Sequence, residues 1–180
     1  IAVMADVEVL TRDKDATTVT QINLCTRTTK KANRKQGTTI TVKKLFLNNR
    51  IRREEFMRSK TKELSRVVNL LQQYAIMLSG VKLTLTHKMK GAASTLLHSN
   101  GTSLKENVLS LFGNEAKEVT QVVDYSQDDI HIDGLLSSAL DQGRPTSDRI
   151  FLFVNKRPVD HKKIQQCITQ KWRSLGAVLR

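Results

Sequence analysis

Between Thr61 and Ser79 apolar residues recur at three- and four-residue intervals: Leu64, Val67, Val68, Leu71, Tyr74, Ala75 and Leu78. At 3.6 residues per turn they form one stripe, which predicts an amphipathic helix that Gly80 closes as a C-terminal cap. The segments around it follow a different period. Ala5–Thr11 alternates Val7 and Val9 with Asp6 and Glu8, Thr17–Cys25 alternates Val19, Ile22 and Leu24 with polar residues, and Thr39–Val42 resumes the pattern. A period of two predicts half-buried strands, with a polar turn over Arg12–Ala16 and a basic loop over Thr26–Gln36.

Beyond the helix, Val81–Thr86 and Ser94–His98 read as a hairpin around a turn at His87–Gly91, and Asn100 and Gly101 mark a further turn. Ser103 and Glu106 have capping-box spacing ahead of Val108, Leu109, Leu111 and Phe112, with Gly113 as the stop. Val119–Val123 and Ile130–Leu136 are expected strands across an acidic turn at Asp124–Asp129, and Gln142–Ser147 is an expected loop. Five consecutive apolar residues, Ile150–Val154, predict a strand covered on both faces, followed by a turn at Asn155–Pro158 and a last helix from about Asp160 to Leu175. The order of elements predicts an α+β fold without internal repeats.

Charge narrows the function classes. The chain of 180 residues is formally +13, and Arg27–Arg66 alone holds fourteen Lys or Arg against Glu54, Glu55 and Glu63. Such a stripe suits a polyanion. The longest uncharged stretch, Val67–Val81, is fifteen residues and includes Asn69, Gln72, Gln73 and Ser79, too short and too polar to span a bilayer, so no membrane partner is expected. Cys25 and Cys167 stand alone, without zinc-ligand spacing or a disulfide framework, which fits a reducing compartment. The chain opens on Ile1 without a leader-like segment and reads as an internal piece of something longer.

No catalytic constellation is visible: no GxSxG, no Walker-type glycine loop, no HExxH, and scattered histidines at 87, 98, 131 and 161 to which no chemistry or metal is assigned. Two basic clusters remain. Arg27, Lys30, Lys31, Arg34 and Lys35 read either as a solvated loop or as a surface that neutralises phosphates. Lys162 and Lys163 open the last helix after Lys156 and Arg157, where the helix dipole disfavours cations, so the cluster reads as surface solubility or as a contact for a negatively charged partner. With few aromatics, any nucleic-acid contact should be independent of sequence.

Four segments together resemble a known family. GTTITVKKLFLNNRIRREEF at Gly37–Phe56 resembles the "GT-x-V-x-V-x-x-LF-x-N-x-P-x-R" signature of MutL-type mismatch-repair proteins, and SDRIFLFVNKRPV at Ser147–Val159 resembles their "DRQ-x-x-FVN-x-RPV" signature. YAIMLSGVKL at Tyr74–Leu83 and SLKENVLSLFG at Ser103–Gly113 are similar to the eukaryotic PMS (post-meiotic segregation) branch. The resemblance covers about Ala5–Trp172. It implies the last strands of a GHKL-type ATPase sheet with its linking turn over residues 1–59. Residues 60–180 would then form an incomplete transducer domain of ribosomal-protein-like fold, a mixed sheet with helices on one side.

The resemblance further implies a nuclear protein of DNA mismatch repair that pairs with a second MutL homologue and binds double-stranded DNA irrespective of sequence. ATP and Mg would belong to the intact parent, with none held by this segment alone, and a C-terminal endonuclease is left open. Gly37 and Thr38 match the family's fourth ATPase motif, where the threonine frames nucleotide phosphates. Asn48, Arg52 and Arg53 match the coupling turn, in which Arg50 stands where the family has proline. Lys162 falls where family members carry a DNA-contacting arginine, with Lys163 beside it. Two alternatives stand beside this reading: a free-standing nucleic-acid-binding or ribosome-associated module, and a catalytically inactive MutL-like scaffold.

Overall fold

The structure is a computed structural model that describes residues 1–116, 121–137 and 149–178. It is α+β, and every strand pair among the described residues is antiparallel, where the resemblance implies a mixed sheet. The chain divides into two compact units, Ile1–Leu64 and Ser65–Arg180.

The first unit is built on a four-stranded sheet of β1 (Asp6–Arg12), β2 (Val19–Asn23), β3 (Thr28–Ala32) and β4 (Gly37–Lys43), in the order β3-β2-β1-β4. Register puts Ile22, Val9 and Ile40 in one row across three strands, with Val7 beside Val42 in the next, so one face is apolar. Ala5, Val7 and Val19 are its buried residues. The two edges differ: β4 offers an uncharged, β-branched run from Thr38 to Val42, whereas β3 carries Lys30 and Lys31. Residues 28–32, expected within a basic loop, are therefore a strand. All but Ala32 are exposed, so they contribute backbone pairing and no core, and hydrophobic periodicity has nothing to register.

Helix α1 runs from Arg50 to Met77, eleven residues longer at its start than the apolar stripe predicts. Its first turns are rich in Arg, Glu, Met and Lys, strong helix formers that need no buried face. The Asn49 side chain accepts from the Arg52 N–H at 3.0 Å and caps the helix. Arg50 is thus the first helical residue. Proline is favoured there because that N–H has no helical partner, and here the position holds an exposed arginine paired with Glu54 at 2.8 Å.

In the second unit β5 (Leu83–Met89) and β6 (Ala92–Ser99) form a hairpin whose turn is only Lys90–Gly91, both at positive φ, with Leu96 bulged out opposite Leu85 and Thr86. Helix α2 (Leu104–Phe112) starts at the expected cap: the Glu106 N–H donates to Ser103 Oγ at 3.3 Å, and Gly113 ends the helix at φ 61°. A hydrogen bond from Thr102, with smaller ones from Ser103, holds the Glu106 carboxyl below its ordinary pKa. A short 3-10 turn, Gly113–Ala116, follows.

Strands β7 (Gln121–Gln127) and β8 (Ile130–Leu136) pair along seven residues, so the expected acidic turn shrinks to Asp128–Asp129 and Asp124 lies in a strand opposite Asp133. Backbone pairing here overrides the low strand propensity of aspartate. The apolar run 150–154 yields only a three-residue strand, β9 (Leu152–Val154). It pairs with β10 (Arg157–Val159) across a two-residue turn, and Val154 is exposed, so it is not covered on both faces. Helix α3 spans Lys162–Val178. The expected loop at 142–147 lies outside the described residues.

The second unit is locked by one buried amide. Asn107 donates to the carbonyls of Ile76 at 3.3 Å and Leu78 at 3.1 Å, and accepts from the Gly101 N–H at 3.1 Å. It thereby joins the end of α1, the turn before α2 and α2 itself, among Ala75, Ile76, Leu97 and Ser99. Gly101, at φ 68°, lies so close to Val81 that an added Cβ would stand 2.2 Å from the Val81 carbonyl oxygen. Asn107→Ala should lower unfolding free energy by about 2–4 kcal/mol, because three backbone groups lose a partner. Gly101→Ala should cost more than about 4 kcal/mol. By contrast Gly80→Ala, also at positive φ but with no atom near its Cβ, should cost about 1–2 kcal/mol. Urea denaturation of the three variants measures the order.

Candidate nucleic-acid interface

The basic residues of the first unit do not act alike. Arg27 turns the chain between β2 and β3 at φ 55°, and Lys30 and Lys31, successive on β3, project to opposite faces of the sheet edge. Lys35 is exposed. Arg34 is committed to the fold: its Nη1 donates to the Leu10 carbonyl at 2.6 Å and to Thr39 Oγ1 at 2.9 Å, its Nε donates to the Lys35 carbonyl at 2.8 Å, and Arg12 donates to the Arg34 carbonyl at 3.0 Å. Its charge stays near the surface, but the guanidinium fastens the link from β3 to the far edge of the sheet. Composition could not distinguish it from its neighbours.

Gly37 opens β4 at φ 124°, a conformation that favours glycine, and a Cβ there would press on the Arg34 guanidinium at 3.3 Å. The exposed Thr38 shares a hydrogen bond with Thr11, Oγ1 to Oγ1 at 2.8 Å, across the β1–β4 pair. Of the coupling residues only Asn48 lies in a turn. Arg52 and Arg53 stand in the first turn of α1, a correction that follows from the Asn49 cap. Arg52 reaches back to Met4 Sδ at 3.6 Å. The turn itself holds Lys44 and Phe46 at positive φ (53° and 60°), and Phe46 packs edge-on against Phe56 with centroids 5.9 Å apart. Left-handed backbone at two non-glycine residues stores about 1–3 kcal/mol each, held in place by the Phe46 N–H bond to the Met4 carbonyl at 2.7 Å.

In the second unit Lys162 and Lys163 occupy the first turn of α3, whose Ile164 N–H donates to His161 Nδ1 at 3.3 Å. Helix α3 contains no Asp or Glu. Lys162, Gln165, Gln166, Thr169, Gln170 and Arg173 line a shallow cleft of about 470 Å³ along it. Arg173 lies eleven residues beyond Lys162, three helical turns on the same side, about 16 Å away. The intervening glutamines and threonine carry amide and hydroxyl groups able to donate to phosphate oxygens. Sequence reasoning selected the lysines and missed Arg173, although its spacing from Lys162 carries the signal.

Among the described residues no group of three or more His, Cys, Asp or Glu could hold a metal ion. His98 lies between Thr84 and Asn100, at 3.1 Å from each, and His131 lies 2.8 Å from Ser126.

The family described as "DNA mismatch repair protein, C-terminal domain" matches residues 108–178. DNA mismatch repair protein PMS1 of Arabidopsis thaliana is 34% identical over 152 residues, 82% of this chain and 16% of that protein. Mismatch repair endonuclease PMS2 of Gallus gallus is 30% identical over 160 residues, 76% of this chain and 18% of that protein. The chain thus spans less than a fifth of the length of these relatives. Among solved structures, the N-terminal domain of a DNA repair protein aligns with a TM-score of 0.83 at 22% identity, covering 96% of this chain and 57% of the other. The Aquifex aeolicus MutL ATPase domain complexed with ADP aligns with a TM-score of 0.73 at 23% identity, over 94% of this chain and 65% of the other. The fold is that of MutL ATPase-region structures, and over most of its length the chain is a homologue of the MutL-type DNA mismatch-repair proteins, with the PMS proteins among its sequence relatives.

Proposed function

We propose that this chain is the ATPase-to-transducer segment of a nuclear, PMS-type mismatch-repair protein. It presents a sequence-independent surface for duplex DNA, while the intact protein binds ATP with Mg and pairs with a second MutL homologue. The observation that carries the DNA reading is α3: a 17-residue helix without a carboxylate, with Lys162, Lys163, Lys171 and Arg173 set among neutral hydrogen-bonding side chains. Such a surface suits the phosphate backbone, which asks for charge and hydrogen-bond donors but no base recognition. Arg27, Lys30, Lys31 and Lys35 form a second basic surface in the first unit, with Arg34 holding its link.

The likeness to an ADP-bound MutL ATPase domain supports nucleotide binding in the intact protein. On that reading Gly37 and Thr38 frame the nucleotide phosphates from the start of β4. The strained turn at Lys44–Asn49, continuous with Arg52 and Arg53 of α1, couples the nucleotide state to closure. Held by Phe46–Phe56 packing and the Met4 contacts, that turn is an element able to take a second, less strained arrangement.

Lys162→Glu with Lys163→Glu should weaken binding of the chain to duplex DNA by a similar factor for any sequence. The slope of log affinity against log salt should flatten by about 0.9 per lysine in fluorescence-anisotropy titrations. Unchanged affinity and slope would remove α3 from the interface. For the first unit, Arg34→Ala should destabilise the fold by about 1–2 kcal/mol. Lys30→Ala and Lys31→Ala should stay within about 0.5 kcal/mol of the parent in stability and lower DNA affinity. Thermal melts read beside the titrations separate the two roles.

A further inference from the structure

We infer that the β7–β8 hairpin is a docking surface for the basic edge strand β3 of a second copy of this chain. Within a +13 protein, residues 121–136 hold Asp124, Asp128, Asp129 and Asp133 and no Lys or Arg. Asp124 and Asp133 face each other across the pair, with the His131 ring nitrogens 3.7 and 4.0 Å from them. Like charges directly opposite destabilise a hairpin until a cation joins them. The other face of the same strands is apolar: Tyr125 and Ile132 lie opposite each other, each about half exposed, and Ile130 is 64% exposed. Among the described residues β7 and β8 pair only with one another, and each has an edge with no strand partner there. The acidic charge excludes a nucleic acid from this surface, and the exposed aromatic and aliphatic side chains suit a polypeptide.

Strand β3 is the complement. It too is an unpaired edge among the described residues, its first four residues are exposed, and no acidic residue lies between Ala16 and Arg53. Edge lysines discourage pairing with a neutral or basic strand, and an acidic edge removes that penalty. Successive side chains on a strand point to opposite faces. Adding β3 as a third strand therefore sends one of Lys30 and Lys31 to the Asp124–Asp133 face and lays the stem of the other across Tyr125 and Ile132. Repulsion between the two positive chains is screened beyond about 8–10 Å at ordinary salt, so the local charges decide the contact. Because the two surfaces differ, the contact is heterologous and allows dimers to extend.

Sedimentation velocity of the nucleic-acid-free chain should show association that grows with concentration and disappears at high salt. Asp124→Lys with Asp133→Lys, and separately Lys30→Glu with Lys31→Glu, should each weaken self-association about tenfold. Mixing the two variants should restore it, since the lysine-bearing hairpin of one then meets the glutamate-bearing β3 of the other. All four positions are exposed, so far-UV circular dichroism and melting should be unchanged. A parent chain that stays monomeric at every salt and concentration overturns the inference, as does association that neither charge swap weakens. Should a swapped chain fold poorly, the salt dependence of the parent decides alone.

Discussion

Three backbone groups from two separate stretches of chain meet one buried side chain, the amide of Asn107, and the second unit is arranged around that meeting. Without it the Ile76 and Leu78 carbonyls and the Gly101 N–H would be shut away from water unpaired. The close passage of Gly101 against Val81, and the 2.6 Å bond from the Gly80 N–H to the Gly101 carbonyl, follow from the same pinning. Leucines along α1 supply apolar area, but area is indifferent to register. The directional bonds of Asn107 fix where the helix ends and where α2 begins.

Apart from the Arg34 clamp, charge is distributed over a frame set mainly by uncharged contacts. The first unit has the uncharged run from Thr38 to Val42 on edge strand β4 and lysines on edge strand β3, and the second contains an acid-free helix α3 and a hairpin with four aspartates. At physiological salt a field fades within about 8 Å, so each surface acts through its own local charge and not through the net charge. A polyanion is drawn to α3 and β3 and repelled by β7–β8. On the proposed reading, this is how a single +13 chain would offer surfaces for two different kinds of partner.

Much of this was legible in the sequence where burial writes a pattern. The helix beneath the stripe from Leu64 to Leu78, the Ser103 cap, the strands around Val7, Val19 and Ile40, the turn at Gly101 and the glycine stop at Gly113 come from sterics and periodicity. The rest leaves no periodic trace. The first turns of α1 are polar all round, β3 buries almost nothing, and Asp124 enters a strand through backbone pairing with β8, despite Asp133 opposite it. Arg34 has the composition of a phosphate ligand and the bonding of a structural clamp. Arg52 and Arg53 read as turn residues until the Asn49 cap places them in the helix. Resemblance supplied the family from short motifs, but it said nothing of the β7–β8 hairpin.

The central claim is that the chain meets duplex DNA through phosphates alone, and titration against two duplexes of unrelated sequence and one RNA duplex across a salt series tests it most directly. The account predicts equal affinity for both DNA sequences and a steep linear fall of log affinity with log salt. A preference for one DNA sequence, binding to RNA alone, or no binding at the lowest salt would contradict it.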